Sequence, residues 1–132
     1  MTTTPTLIDI IFCDDVREEK NGRYSLMGVY PTKEISVQQL PTIINQLNLV
    51  MRFTGIPADY APFLQVKITA PDGQDSRPVQ GQILTPTSAE GETLFILCAS
   101  PLQLSQEGRH MIQIKIDDDG SQDAYFNVIK TE

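Results

Sequence analysis

The sequence predicts an all-β fold: a single-domain, two-layer antiparallel β-sandwich of about seven to nine strands, immunoglobulin-like or C2-like in its Greek-key connections. Three observations predict it. Apolar residues recur with a period of two in one segment after another, turn chemistry separates those segments at short intervals, and no convincing long helix interrupts them.

Residues 7–30, LIDIIFCDDVREEKNGRYSLMGVY, read as the hairpin around which the rest is organised. Ile8, Ile10 and Phe12 share one parity, so one face of the first strand is expected to be buried. The other face carries Leu7, Ile11 and Cys13 beside Asp9, and needs cover from another element or another chain. Asn21-Gly22 is the turn, because both residues tolerate the positive φ of a two-residue type I′ loop. On the return, Tyr24, Leu26 and Tyr30 face one way and Ser25, Met27 and Val29 the other. Gly28 breaks the pattern, which marks a bulge or the close approach of another backbone.

These residues also carry a resemblance. The run Phe12-Cys13-Asp14-Asp15-Val16-Arg17, followed by Asn21-Gly22-Arg23-Tyr24-Ser25-Leu26-Met27-Gly28-Val29-Tyr30, resembles the N-terminal signature of a family of small uncharacterised bacterial or phage proteins. That signature is D-D-x-R-x-E followed by G-K-x-S-L-x-G-x-Y, and Arg23 stands where it has lysine. The resemblance implies one β-sandwich domain and a bacterial or phage origin, and it implies no activity.

Further along, Ile35 and Val37 predict a short strand that Pro41 ends, as at a sheet edge. Ile43, Leu47, Leu49, Met51 and Phe53 are expected inward and Asn48, Arg52 and Thr54 outward, with a helical turn at 42–46 as the alternative start. GIPADYAP, residues 55–62, is an irregular loop with Tyr60 at its tip. Leu64, Val66 and Ile68 predict a strand with one wet face, and Pro71-Asp72-Gly73 a turn. Val79, Gly81 and Ile83 suggest an edge strand, and Thr93 to Ala99, apolar on both parities, a central one. Residues 101–107 read as a crossing loop plugged by Leu102 and Leu104. Ile112, Ile114 and Ile116 then face in, the 118–120 segment turns, and Ala124, Phe126 and Val128 form the last strand.

With 132 residues the chain reads as one domain that needs neither metal nor disulfide to fold. A net charge of −7 without any basic cluster argues against nucleic acid and anionic membranes as partners. No apolar run reaches the roughly 20 residues of a membrane span, and the N-terminal Met1-Thr2-Thr3-Thr4 has no signal-peptide character, so a cytoplasmic location is expected. Cys13 and Cys98 are then expected as reduced, packed thiols.

Few residues offer chemistry. Asp14, Asp15, Asp117 and Asp119 are weak Ca²⁺ candidates, because a C2-like sandwich can gather carboxylates from loops at one end. Their spacing does not fit an EF-hand, and aspartate is also at home in solvated turns. Arg17 is expected to pair bidentately with one carboxylate of Asp14-Asp15. His110, the lone histidine, shares the parity of Ile112 and reads as a core group bonded to a carbonyl of residues 101–107. A Cys13–His110 or Cys98–His110 nucleophile pair has no supporting motif, and no catalytic residue or cofactor is assigned. The function expected is contact with a protein partner or a second copy in a homodimer, through Asp14, Asp15, Arg17 and the face holding Ile11.

Overall fold

The computed structural model describes residues 5–76, 82–99, 101–117 and 120–131. In chain order its first strands are β1 (Thr6–Glu18), β2 (Tyr24–Val29), β3 (Glu34–Val37), β4 (Thr42–Ile44), β5 (Asn48–Thr54) and β6 (Leu64–Thr69). There follow β7 (Asp75–Ser76), β8 (Gln82–Leu84), β9 (Thr93–Cys98), β10 (Leu102–Leu104), β11 (Gly108–Ile116) and β12 (Ser121–Lys130). One sheet has the order β2-β1-β5-β9-β8, the second β3-β12-β11-β6-β7, and β10 with β4 makes a short ribbon. Among the described residues no helix is long and apolar enough to cross a membrane.

The two sheets form a sandwich because the alternating residues of both bury their apolar sides in one core. Leu49, Met51 and Phe53 of β5 meet Ile112, Ile114 and Ile116 of β11, and Phe12 of β1 meets Phe126 of β12 with ring centroids 6.0 Å apart. The predicted inward parities of β5, β11 and β12 hold, with Leu49, Ile112 and Phe126 buried, and β9 lies inside its sheet, between β5 and β8, as expected.

Several expectations change. Ile8 is 54% exposed, because a register shift between Leu7 and Asp9 makes it the extra residue of a β-bulge; Leu7 instead joins Ile10 and Phe12 over the core. Within the expected loop of residues 101–107, β10 pairs with β4, so the alternative helical turn at 42–46 does not form; Ile43, expected inward, is 57% exposed, while Leu102 and Leu104 are buried plugs as expected. The sandwich is not wholly antiparallel, since β3 lies parallel to β12. The hairpin loop is a three-residue turn, Lys20–Gly22, closed by Glu19 N donating to Arg23 O at 2.7 Å, with positive φ at Asn21 and Gly22 as the pair requires. The short pairings of β4, β7 and β10 carry the count among the described residues to twelve strands, above the seven to nine expected.

The outer face of the first sheet is covered from within the chain. Cys13, Val50 and Ile96 are buried there in a second cluster, and Val16, Tyr24 and Leu26 of the hairpin pack on it with Ile11 and Leu94. Cys13 and Val16 differ in parity, so both strands must kink between them. The kink lies at Asp14 opposite Gly28: Gly28 has φ +68°, and a Cβ there would sit 2.4 Å from Asp14 Oδ2. It divides β2 accordingly, with Leu26 on the second cluster and the following Tyr30 on the main core. Asn48, expected outward, is buried and ties the kink to β5 by donating its Nδ2 to Asp14 O at 2.9 Å.

β2 accompanies β1 only from Cys13 onward, so the 7–11 stretch of β1 has no strand on that side. Gln122 of β12 fills the gap: its Oε1 accepts Leu7 N at 2.6 Å and its Nε2 donates to Pro5 O.

Gly28→Ala adds a side chain at positive φ and against a carboxylate, and is expected to destabilise the fold by about 1–3 kcal/mol. Urea unfolding of the single variant and of Gly28→Ala with Asp14→Ala checks this; the double variant should recover part of the loss, because only the steric component depends on Asp14.

Candidate functional site

Strand register brings four separate segments to one end of the sandwich. β1 starts at Thr6 opposite Thr54, so Pro5 and Gly55 leave the first sheet side by side. β11 ends at Ile116 opposite Leu64, so Asp117 falls beside Phe63 on the second sheet. The loop of residues 55–63 spans the two.

Proline removes two of that loop's amide donors, at Pro57 and Pro62, and bonds at Ile56, Tyr60 and Phe63 anchor it to its neighbours. Ile56, buried as a plug, donates its N–H to Gly91 O at 3.1 Å, and Tyr60 N donates to Pro57 O at 3.1 Å. Gly91 is pressed so closely on this segment that a Cβ would lie 2.8 Å from Ile56 O. Thr87, itself buried, donates its hydroxyl to Tyr60 O at 2.6 Å.

Asp117 clasps the loop from the other sheet. Its Oδ1 accepts Phe63 N and its Oδ2 the Tyr60 hydroxyl, each at 2.7 Å, while its own N–H donates to Phe63 O at 2.7 Å. Its backbone has φ +49°, a left-handed conformation that aspartate tolerates better than most residues.

The result is a cleft of about 680 Å³ whose walls include Pro5, Ile56, Pro57, Tyr60, Glu90 and Asp117. That volume lies within the range of ordinary ligand sites. Among the described residues the charged side chains lining it are acidic, Glu90 and Asp117, and none is basic. Tyr60, at 44% exposure, presents open aromatic surface in its wall, and Phe63, next to the lining residue Pro62, is 65% exposed outside it.

The acidic residues singled out in the sequence do not converge. Asp14 and Asp15 lie beyond the far end of the β1–β5 pairing, about 25 Å from Thr6 along the strand. Asp119 lies outside the described residues. Among the described residues no group of three or more His, Cys, Asp and Glu is placed to hold a metal ion. Asp117 serves as the clasp, with a protein donor on each oxygen.

Arg17 makes one contact in place of the expected bidentate pair: Nε to Asp15 Oδ2 at 3.3 Å, within β1 and well exposed at both ends. Such a pair contributes no more than about 1 kcal/mol. Asp15 Oδ1 accepts Val16 N at 3.0 Å. Ile11 is half-buried at the edge of the second cluster, beneath cover that the hairpin provides.

Neither cysteine forms a disulfide. Asn48 stands between Cys13 and Cys98 in the register, which separates the two by two strand spacings, about 10 Å, too far to bridge. Burial pushes the Cys13 thiol above its usual range, and the negative charges of Asp14 and Asp15 push it further. His110 is buried in the inner face of the second sheet, its ring stacked 5.0 Å from Phe126 and its Nδ1 3.1 Å from Gly108 O rather than a carbonyl of residues 101–107. Both thiols belong to the outer face of the first sheet, so the core separates them from this imidazole.

Only Tyr60 and Asp117 of the cleft stood out in the sequence. The irregularity of GIPADYAP was the available signal; Pro5, Glu90 and Gly91 gave none, because only the register brings them there.

Asp117→Ala orphans the Phe63 amide and the Tyr60 hydroxyl and is expected to cost about 1–3 kcal/mol in urea unfolding. Tyr60→Phe, which removes one exposed bond, should cost less than half of that. Cys13 titrates near 9.0 in the unfolded chain and higher in the fold, so its stabilising contribution is complete below pH 9 and lost as pH rises above it. Cys13→Ala should flatten that alkaline decline, and an aromatic disulfide reagent at pH 8 should modify native Cys98 while Cys13 reacts only on unfolding.

Comparison with known sequences adds the following. No curated protein matches the chain. A family of unknown function matches residues 9–129, from β1 to β12, taking in both sheets and the hairpin arm. The chain therefore belongs to that family of unknown function, DUF6941.

Proposed function

We propose that the protein is a non-catalytic binding module that contacts another protein through the loop end of its sandwich. One observation carries this reading: a preformed cleft of about 680 Å³ whose wall presents Tyr60 to solvent, with Phe63 exposed next to its lining residue Pro62. Exposed aromatics beside a concave site are the residues that most often anchor a partner. The chemistry-bearing groups are elsewhere and apart, with His110 in the core and the thiols behind the first sheet.

A second copy is the alternative partner, favoured by β2, an edge strand on which Met27 and Val29 stay about half exposed. A cytoplasmic setting is part of the same reading, supported by two cysteines that form no disulfide. A bacterial or phage origin rests on the signature at residues 12–30.

Random-peptide display selected on the wild type and counter-screened on Ala58→Trp, which fills the cleft, tests the module. Sequences that lose at least about tenfold in affinity on Ala58→Trp, equivalent to 1.4 kcal/mol, are expected; a selection yielding no cleft-dependent sequence overturns the reading. Light scattering over a concentration series decides the alternative: a monomer throughout removes self-association, whereas a dimer that Met27→Glu dissociates places it on β2.

A further inference from the structure

We infer that the cleft receives the side chain of a lysine or arginine carried on an extended segment of the partner protein. This rests on the reading of the loop end as a protein-contact site and specifies the chemistry that it selects.

Several of the cleft's hydrogen-bond donors are missing or already used. Pro5, Pro57 and Pro62 in its wall have no N–H. The amides of Ile56, Tyr60, Gly91 and Asp117 already donate to Gly91, Pro57, Ser88 and Phe63 carbonyls, and the Tyr60 hydroxyl donates to Asp117. These donors are spent, so what the wall adds for a ligand rests on its carboxylates. An ionised carboxylate has about four acceptor positions, and each oxygen of Asp117 has one protein donor, so acceptor capacity persists on both. Among charged side chains, lysine and arginine only donate.

Charge points the same way. The donors on Asp117 are a neutral amide and a phenol, so its negative charge is bonded without being cancelled. Glu90 lies in the same wall, and neither ion pair formed among the described residues, Arg17–Asp15 or Lys67–Asp75, involves it. Two carboxylates in a concavity with apolar walls focus a negative potential there. The proline and isoleucine surfaces suit the aliphatic stem of a basic side chain, and the half-exposed Tyr60 ring offers a face to the cation. Phe63, outside the cleft and more open still, extends the contact beyond one side chain, which favours a peptide segment over a small cation.

The test is a ¹⁵N-resolved NMR titration of the full chain at low salt with the blocked peptide acetyl-Gly-Ala-Arg-Ala-Gly-amide. The same peptide with citrulline or glutamate at its centre, and agmatine, serve as comparisons. The arginine peptide should shift Gly55, Tyr60, Gly91 and Asp117 resonances and bind at least about tenfold more tightly than the citrulline peptide, an advantage that contracts several-fold at high ionic strength. Glu90→Gln, an exposed substitution that leaves the Asp117 clasp untouched, should reduce the advantage several-fold, and Ala58→Trp should abolish binding. Equal binding of the arginine and citrulline peptides overturns the cation assignment and leaves the module standing. Agmatine binding as tightly as the arginine peptide replaces the partner segment with a small cation and overturns this inference. If no peptide shifts the cleft and display has also yielded no cleft-dependent sequence, the inference and the module fall together.

Discussion

A strand that is apolar on both faces has to be covered twice, and the meeting of Asp14 with Gly28 is how this chain does so. The inner side of β1, with Leu7, Ile10 and Phe12, is covered by the second sheet. Its outer side would leave Cys13, Val50 and Ile96 to water, at about 25 cal/mol for each Å² of apolar surface so exposed. The hairpin reaches back over them only because both of its strands change parity at one level. That change needs a residue without a Cβ at positive φ, and Gly28 supplies it beneath the Asp14 carboxylate. Asn48 then holds Asp14's carbonyl from β5, so the kink, the second cluster and the central strand are coupled.

Most of the sandwich was legible because long strands with a dry face and a wet one write their parity plainly. Met111, Gln113 and Lys115 outside and Ile112, Ile114 and Ile116 inside are an example. The misreadings share a cause: parity presumes an unbroken pleat and says nothing about partners. One extra residue sends Ile8 outward, and Gly28, expected to meet another backbone, instead meets the Asp14 side chain and reverses the faces on either side of it. β4 and β10 are three residues each, and their pairing joins positions some 60 apart, a contact that local pattern does not encode. The parallel course of β3 beside β12 is invisible for the same reason.

The loop end illustrates the limit more sharply. Asp117 looked like a turn aspartate or a weak metal ligand, and the register instead makes it the clasp of a loop more than 50 residues earlier. Two prolines made residues 55–62 look irregular, whereas bonds at Ile56 and Tyr60 anchor the segment to its neighbours. Order without regular secondary structure is what a preformed site requires, since loop freedom would otherwise be lost on binding.

The open margin of β1 has a further consequence. Unpaired strand edges are templates along which chains zip together into extended assemblies. Here the Leu7 amide is occupied by the Gln122 carboxamide, and the bulge at Ile8 puts the next backbone groups out of step with any straight neighbour. One glutamine reaching across from the opposite layer thus acts as a stopper: it holds the two layers together at their seam and denies a passing chain the place where fibrillar growth could begin.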